Sequence, residues 1–367
     1  MKPIRFLMIG GFLGAGKTTT IGKLASHYVA QGLNVALVTN DQAYDLVDTH
    51  TLRAQGFQVG EVPGACFCCK FDDLIDTVGT MSADSIPDLV IAEPVGSCTD
   101  LVATVIEPMR ELFGDRFELG PLVVLLKPNH GQKILSGGSG RGFSPQAEYI
   151  FLKQLEEADA IAVNKIDRLS EAQQAELLTL IGERFPGIPA FGLSAREGTG
   201  MADLIAAAEA DPQPRGRMME MDYETYAQGE AELGWLNCQI SAQAEERFEL
   251  DALVLALVAG VGTALSEAGC EIAHLKVLGQ TLENAAVANR VGSDTEAELS
   301  LASQIKTQAA DLLVNVRVAA DPEQLREAVK QVAQSIRSEM GIELEVGNLQ
   351  CFRPAKPEPT HRAGGRP

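Results

Sequence analysis

Short apolar runs alternate with segments of helical periodicity through the first 210 residues of the chain. The apolar runs predict strands at residues 4–9, 35–39, 89–92, 122–126, 160–163 and 190–193. The amphipathic segments between them predict helices at residues 17–31, 99–113, 145–158, 170–185 and 201–208. This alternation predicts an α/β fold, a mostly parallel sheet flanked by helices, whose ligands bind at the carboxyl edge of the strands.

A second set of patterns follows residue 220. Strands are predicted at residues 235–240, 274–278, 312–318 and 342–346, and helices at residues 250–268 and 322–340. They predict a smaller C-terminal α/β domain of the split β-α-β type, with a repeated strand-helix-strand unit. The predicted organisation is a first domain at residues 1–210, a linker at 211–220, a second domain at 221–353 and a disordered tail at 354–367.

The loop after the first predicted strand carries a complete phosphate-binding pattern, Gly11-Phe-Leu-Gly14-Ala-Gly16-Lys17-Thr18. Its glycines allow backbone N–H groups to surround phosphate oxygens at the start of a helix, which predicts a P-loop NTPase fold. Lys17 is expected to neutralise the β- and γ-phosphates, Thr18 to bind Mg²⁺, and Thr19 to reach the α-phosphate. A glycine-rich turn without a ligand is the alternative, which the full pattern disfavours. The predicted nucleotide-binding residues of this loop are Gly11, Gly14, Ala15, Gly16, Lys17, Thr18 and Thr19.

A second pattern, Asn164-Lys165-Ile166-Asp167, follows the predicted strand at residues 160–163 and indicates which base is bound. In GTPases the Asp at the position of Asp167 accepts hydrogen bonds from the guanine N1–H and exocyclic amine. The Asn and Lys at the positions of Asn164 and Lys165 hold the loop and cover the ring. Behind a phosphate loop, this tetrad predicts GTP as the nucleotide. Ser194 and Ala195 follow the next apolar run and can present backbone N–H groups to the guanine O6; an ordinary strand-to-helix loop is the alternative.

Three thiols lie within the four residues Cys66-Phe67-Cys68-Cys69. Thiolates are soft ligands that suit Zn²⁺ or Cu⁺. Clustered cysteines without a secretion signal indicate metal or redox chemistry, and three buried structural cysteines are the alternative. The other four cysteines are scattered and are predicted to be ordinary core residues: Cys98, Cys238, Cys270 and Cys351.

The order of these motifs resembles the CobW/HypB/UreG family of metal-trafficking P-loop GTPases over about residues 4–205, nearest the CobW-type branch with a Cys-x-Cys-Cys motif. Val38-Thr39-Asn40-Asp41 resembles the end of the second strand in the urease nickel chaperone, and Glu93-Pro-Val-Gly96 resembles the family's Glu-x-x-Gly switch. By this resemblance the Gly96 N–H senses the γ-phosphate. The implied catalytic residues are Lys17, Asp41 and Glu93. The implied Mg²⁺ ligands are Thr18, Asp41 and Glu93, and the implied transition-metal ligands are Cys66, Cys68 and Cys69.

The resemblance implies a slow GTPase that converts GTP to GDP and phosphate, with GTP, Mg²⁺ and Zn²⁺ or another soft transition metal as cofactors. It implies a metallochaperone or metal-cofactor insertion factor, with a recipient metalloenzyme as partner and a GTP-dependent homodimer. The thiols lie between Asp41 and Glu93 in the sequence, in a region that the γ-phosphate and Mg²⁺ should order. Hydrolysis is therefore predicted to rearrange the metal ligands.

The residues leave two other functions open. One is a GTPase that guards or loads a cobalamin-type cofactor, with structural cysteines. The other is a redox-sensing, nucleotide-gated binding module in which Cys68 and Cys69 form a strained, reversible disulfide. A P-loop kinase is disfavoured because residues 164–167 would have no role in it.

Three features depart from the family pattern. Ala65 is inserted between Gly64 and the first thiol, and residues 127–147 contain a predicted insertion. The C-terminal region lacks the arginine-lysine-glycine strand motif expected of CobW-type second domains.

Composition narrows the possible partners and location. A length of 367 residues favours two domains, and a net charge of -20 argues against nucleic acid and anionic membranes as partners. No apolar segment is predicted to span a membrane. The first apolar run is interrupted by glycines and is predicted to be a strand rather than a signal peptide. The protein is therefore predicted to be cytoplasmic.

Overall fold

The computed structural model describes residues 2–42, 46–82, 85–136, 144–212 and 218–364. The chain divides into a first unit of Met1–Gln42, Phe57–Gly229 and Lys356–Pro367, and a second unit of Ala43–Gly56 and Glu230–Ala355. Of the predicted linker at residues 211–220, residues 213–217 lie outside the described residues. The helical segment that follows, up to Gly229, groups with the first unit rather than with the second.

The first unit is built on a seven-stranded sheet whose strands are all parallel. These strands are β1 (Ile4–Gly11), β2 (Val35–Asp41), β3 (Gln58–Pro63), β4 (Leu89–Glu93), β5 (Phe117–Leu126), β6 (Ala160–Asn164) and β7 (Ala190–Leu193). Their order across the sheet is β3-β2-β4-β1-β5-β6-β7. Helices flank this sheet, so β4 and β6 are buried along their whole length and are apolar except for their last residues, Glu93 and Asn164. The predicted fold class is confirmed.

Nine helices lie between Lys17 and Ala231 among the described residues: α1 (Lys17–Ala30), α2 (Val47–Ala54), α3 (Phe71–Met81), α4 (Glu107–Phe113), α5 (Pro128–Leu135), α6 (Pro145–Glu156), α7 (Glu171–Arg184), α8 (Met201–Glu209) and α9 (Tyr223–Ala231). Helix α7 begins with a capping box, because Ser170 Oγ accepts from the Gln173 N–H while the Gln173 side chain accepts from the Ser170 N–H. The predicted helix at 99–113 begins later than expected, as a π-helical turn at Val102–Ile106 leading into α4. The left-handed backbone of Asp100, with φ 63°, cannot belong to a helix.

Part of the predicted insertion at residues 127–147 is a helix packed on the first unit. Helix α5 occupies its first part and buries His130 and Ile134 against the first unit. Residues 137–143, the glycine-rich part of that insertion, lie outside the described residues.

The second unit is an antiparallel sheet with helices α2, α10 (Leu250–Glu267) and α11 (Pro322–Met340). Its strands are β8 (Gly234–Glu249), β9 (Glu271–Gln280), β10 (Ala285–Arg290), β11 (Glu298–Leu301), β12 (Lys306–Ala319) and β13 (Glu343–Phe352). The strand order is β11-β10-β9-β12-β8-β13. Apolar side chains of α10 and α11 form one core with the sheet. The units β8-α10-β9 and β12-α11-β13 match the predicted repeat, while β10 and β11 were not predicted.

Helix α2 lies in the second unit although it follows β2 of the first unit in the sequence. The Val47 side chain packs with Leu278 and Leu313, and the Val47 N–H donates to Asn315 Oδ1 at 3.0 Å. Asp48 also forms an ion pair with Lys276. The predicted first domain at residues 1–210 includes these residues, because a two-turn helix carries too weak a pattern to indicate what it packs against.

One helix among the described residues, α10, is long and apolar enough to cross a membrane by length and composition alone, with 18 residues and a mean hydropathy of 1.6. No such segment was predicted from the sequence. In the structure the side chains of Leu253, Leu257 and Val261 are buried in the core of the second unit. Helix α10 therefore packs as the core helix of that unit.

Residues 356–364 contain no regular helix or strand. The sequence predicted a disordered tail at 354–367, but the structure fixes these residues on the first unit by hydrogen bonds. Arg362 Nε donates to Asp100 Oδ2 at 2.7 Å, and the Thr360 N–H donates to the Cys68 carbonyl at 2.8 Å. Composition alone predicted disorder because a tail this polar has no core of its own and orders only on a complementary surface.

Candidate functional site

The loop between β1 and α1 is shaped by glycines with left-handed backbone. Gly14 has φ 75° and Gly16 has φ 92°, conformations that residues with side chains rarely adopt. A Cβ at Gly16 would meet Asn164 Nδ2 and would lie 3.9 Å from Lys165 Cε. Within the described residues no side chain caps the N-terminus of α1. The first-turn N–H groups of α1 are therefore available to an anion.

Lys17 begins α1 and is buried. Its Nζ donates to the Gly11 carbonyl at 2.9 Å, so the ammonium group lies within the loop. Thr19, the third predicted residue of this helical turn, is exposed on α1. The loop thus combines backbone donors with one positive charge, the combination that binds phosphate groups.

Two of the three predicted Mg²⁺ ligands are in contact. Thr18 Oγ1 donates to Glu93 Oε1 at 3.2 Å, and both residues are buried. Glu93 ends β4 and pairs in register with Thr39 of β2, so Asp41 lies two residues further along the neighbouring strand. A hydroxyl and two carboxylates at one sheet edge are a donor set that fits Mg²⁺, which takes oxygen ligands.

The segment after β4, residues 94–98, contacts the phosphate loop and is named here the Gly96 loop. A Cβ at Gly96 would lie 2.7 Å from Leu13 Cδ2 and 3.1 Å from the Leu13 nitrogen. Gln154 Nε2 donates to the Gly96 carbonyl at 3.0 Å and to the Cys98 carbonyl at 2.8 Å. Glycine is needed at position 96 because the two loops approach this closely.

The residues predicted to recognise the base converge on the phosphate loop from the ends of β6 and β7. Asn164 Nδ2 donates to the Ala15 carbonyl at 2.8 Å, and Asn164 Oδ1 accepts from the Lys165 N–H at 2.9 Å and the Ala195 N–H at 3.1 Å. Ser194 Oγ donates to Asp167 Oδ1 at 2.6 Å. Asn164 therefore joins three loops, and Asp167 is oriented by Ser194.

The three thiols of residues 66–69 form one cluster. Cys66 Sγ lies 3.0 Å from Cys68 Sγ and 3.3 Å from Cys69 Sγ, and the Cys68 and Cys69 sulfurs are 3.7 Å apart. Cys66 and Cys68 are buried, whereas Cys69 is partly exposed. Among the described residues these three form the group of cysteine, histidine and acidic side chains arranged to hold a metal ion. The predicted ligand set is thus together in space.

The shape of the thiol loop is fixed by Asn40, a residue for which the sequence predicted no role. Asn40 Nδ2 donates to the Val62 and Ala65 carbonyls, each at 2.7 Å, and Asn40 Oδ1 accepts from the Phe67 N–H at 2.8 Å. Asn40 is buried at the end of β2, directly before Asp41. One side chain therefore satisfies three backbone groups around the thiols, and the only sequence signal was its place beside Asp41.

Hydrogen bonding among the thiols separates their acidities. Hydrogen bonds from Cys68, then Cys69 and Cys98, lower the pKa of Cys66 well below its usual value. The reciprocal hydrogen bond with Cys66 raises the pKa of Cys68 well above its usual value and raises the pKa of Cys69 to about 12. These hydrogen bonds favour the charged form of Cys66 over the charged forms of Cys68 and Cys69. Cys98, predicted to be an ordinary core residue, lies two residues after Gly96 and is hydrogen-bonded to Cys66.

The isolated cysteines outside this cluster have ordinary surroundings. Cys238 and Cys270 are buried with the apolar core of the second unit, and Cys351 Sγ donates to the Pro322 carbonyl at 2.8 Å.

His130 is packed edge-on against Phe12 at a centroid distance of 5.7 Å.

Known proteins resemble part of this chain. A model of the CobW/HypB/UreG nucleotide-binding domain matches residues 5–187. The chain is 32% identical over 177 residues to the zinc chaperone YeiR of Escherichia coli strain K12, covering 46% of this chain and 48% of that protein. It is 25% identical over 195 residues to the zinc chaperone YjiA of the same strain, covering 51% of this chain and 57% of that protein. The chain thus spans about half the length of the curated relatives it matches. Among solved structures, HypB from Helicobacter pylori in complex with nickel gives a TM-score of 0.40 at 19% identity, covering 55% of this chain and 83% of that one.

Proposed function

Because this chain belongs through residues 5–187 to the CobW/HypB/UreG family, we propose that it is a GTP-hydrolysing metallochaperone whose nucleotide state controls a zinc ion bound by Cys66, Cys68 and Cys69. The zinc ion is cargo that passes to a recipient metalloenzyme. A GTP-dependent homodimer and a cytoplasmic location belong to the same proposal.

The spacing of the three sulfurs carries this proposal. Tetrahedral ligation with Zn–S bonds of about 2.3 Å requires sulfurs about 3.8 Å apart. The observed separations range from 3.0 to 3.7 Å, so small side-chain movements suffice to admit the ion. Three thiolates leave the fourth position of a tetrahedral zinc ion for a ligand of the recipient.

The nucleotide half of the mechanism rests on positioning and electrostatics. The first-turn N–H groups of α1 and the Lys17 ammonium would hold the β- and γ-phosphates, and Asp167 would select guanine. Mg²⁺, held by Thr18, Glu93 and Asp41, would neutralise charge that develops on the phosphate oxygens. The Gly96 N–H would donate to the γ-phosphate. Turnover is expected to be slow where a partner must complete the site.

Asn40 and Asp41 supply the route from the nucleotide to the metal. Asp41 is a proposed Mg²⁺ ligand, and its neighbour Asn40 holds the thiol loop by three hydrogen bonds. Cys98 provides a second route, because it contacts Cys66 and follows Gly96 by two residues. A displacement of either segment after loss of the γ-phosphate would change the geometry of the sulfur ligands.

Anaerobic titration with Co²⁺ tests the metal site, because thiolate ligation of Co²⁺ produces intense charge-transfer absorption. The wild-type chain should saturate at one equivalent, and Zn²⁺ should displace the cobalt. In a Cys66→Ser variant the affinity should fall by at least about 100-fold, because changes to groups that merely support a ligand already cost 10- to 100-fold.

A Cys351→Ser variant is the matched control, since its hydroxyl can still donate to the Pro322 carbonyl, and it should titrate like the wild type. Charge-transfer bands that persist unchanged in Cys66→Ser, or that never form in the wild type, would contradict the proposal. Absence of metal binding together with reversible loss of two thiols on mild oxidation would instead support the redox module.

A further inference from the structure

The chain segment of residues 356–364, called here the strap, touches the thiol loop directly. The Glu358 N–H donates to Cys69 Sγ at 3.2 Å. The Thr360 N–H donates to the Cys68 carbonyl at 2.8 Å, and Thr360 Oγ1 donates to the Cys69 carbonyl at 3.2 Å. Cys69 is the partly exposed member of the cluster, so the strap lies on the side by which the sulfurs are reached from solvent. Donors to a ligand sulfur stabilise its charged form and hold its orientation.

The strap continues across Phe71, which begins α3 immediately beyond the thiols. The His361 ring lies edge-on to the Phe71 ring with centroids 5.0 Å apart. Phe71 is fully buried, so His361 packs on the apolar end of this helix. The strap thus makes polar contacts with the thiol loop and an aromatic contact just after it.

The far end of the strap is anchored by a buried ion pair. Arg362 Nε donates to Asp100 Oδ2 at 2.7 Å, and the side-chain exposures of the pair are 11% and 1%. Asp100 Oδ2 also accepts from the Tyr223 hydroxyl at 2.7 Å. Arg362 Nη2 donates to the Met219 carbonyl at 2.9 Å. Removing one partner of a buried charge pair is far more costly than losing a surface pair, so we treat Arg362 and Asp100 as the anchor of the strap.

The anchor lies on the segment that would respond to the nucleotide. Asp100 is two residues beyond Cys98, and the chain from Gly96 to Asp100 is continuous with the end of β4. Hydrogen bonds from Tyr223 and Arg362 hold the buried Asp100 carboxylate in place. A shift of the Gly96 loop would therefore move the acceptor away from Arg362.

From these contacts we infer that the strap is a cover over the thiol site, with Arg362 as the residue that positions it, and that metal transfer requires the Arg362–Asp100 pair to open. This inference rests on the proposed metallochaperone function. In the closed form the Glu358 N–H supports Cys69 and the strap limits access to the sulfurs. In the open form Cys69 is exposed to an incoming ligand of the recipient.

The experiment compares two pairs of variants of the full chain. Glu358→Pro removes the N–H that donates to Cys69 Sγ, whereas Glu358→Ala retains it. Arg362→Met removes the charge of the anchor, and Lys356→Met, which removes only the exposed ion pair with Glu224, is its control. Arg362→Lys tests rescue by a retained positive charge. Zinc-loaded protein is mixed with the chromogenic chelator 4-(2-pyridylazo)resorcinol, and the zinc-free protein is mixed with dithiobis(nitrobenzoate) to measure thiol reactivity.

Zinc transfer to the chelator should be about tenfold faster in Glu358→Pro and Arg362→Met, the lower end of the range for groups that support a metal ligand. Zinc transfer in Arg362→Lys should be slower than in Arg362→Met and closer to the wild-type rate. The two controls, Glu358→Ala and Lys356→Met, should match the wild type. One thiol of the zinc-free protein should react faster in the same two variants.

Thiol reactivity and zinc transfer that are the same in Glu358→Pro and Glu358→Ala, within twofold, would overturn the inference even if Arg362→Met fails to fold. Failure of the proposed function has a different signature, since the wild type would then bind no zinc. The thiol reactivity of the variants would still show whether the strap covers the thiols.

Discussion

A Lys17→Ala variant is expected to lose at least about 1,000-fold in kcat/KM for GTP hydrolysis, because the phosphoryl oxygens would lose their main protein cation in a site that works by charge stabilisation. Lys17 is buried at the first position of α1, and its ammonium group lies within the phosphate loop against the Gly11 carbonyl. Alanine provides neither the charge nor the reach. Phosphate release at a series of Mg²⁺-GTP concentrations measures the effect.

The matched control is Lys23→Ala, which removes an exposed lysine of the same helix and should leave both kcat and KM unchanged. The thermal unfolding midpoint of both variants should stay near that of the wild type, since alanine is favoured within helices. Hydrolysis by Lys17→Ala within tenfold of the wild type would show that the loop does not bind the phosphates as proposed.

An Asp167→Asn variant is expected to prefer xanthine to guanine. The ratio of kcat/KM for GTP to kcat/KM for xanthosine triphosphate should fall by about 1,000-fold or more. A carboxylate accepts from both N1–H and the exocyclic amine of guanine. Xanthine has a carbonyl in place of that amine, to which an asparagine N–H can donate. A site built around hydrogen bonds discriminates strongly, because a mismatched base leaves buried polar groups unpaired.

The fold supports this substitution because Ser194 Oγ donates to Asp167 Oδ1, a bond that the asparagine oxygen can also accept. Competition between guanosine and xanthosine triphosphates during hydrolysis measures the ratio. Asp203→Asn, at an exposed position of α8, should keep the guanine preference. An Asp167→Asn variant that hydrolyses both nucleotides in the wild-type ratio would mean that another group reads the base.

Local sequence patterns predicted the parallel sheet and the phosphate loop because their causes are local. Gly16 has a left-handed backbone at a position where a Cβ would meet Asn164. The glycine in the motif reflects this requirement directly. The motif brings Cys66, Cys68 and Cys69 close in the sequence, but the contact of their sulfurs also depends on the turn that Asn40 fixes.

The supports of the thiol site could not be predicted from the sequence because they come from distant parts of the chain. Asn40 is 27 residues before Phe67, to which it is hydrogen-bonded. Cys98 resembles any buried cysteine until the fold brings it to Cys66. Arg362 lies 262 residues from Asp100, in a segment whose composition indicates disorder. Helix α2 similarly gave no sign that Val47 would join the apolar cluster of the second unit.

These distant residues are the contacts by which the nucleotide site can be coupled to the metal site. Asn40, Cys98 and Asp100 each lie next to, or shortly after, a residue expected to sense Mg²⁺ or the γ-phosphate. Each also contacts the thiol loop or the strap that covers it. If the nucleotide changes zinc affinity through them, zinc must change nucleotide affinity by the same factor, because coupling free energies are reciprocal.

The most direct test of this coupling is the zinc affinity of the wild-type chain, measured by chelator competition with Mg²⁺-GDP and again with a non-hydrolysable GTP analogue. A coupled site should show dissociation constants that differ by about tenfold or more, within the range typical of allosteric pairs. Equal zinc affinities in the two nucleotide states would contradict the account, even if the protein binds both ligands tightly.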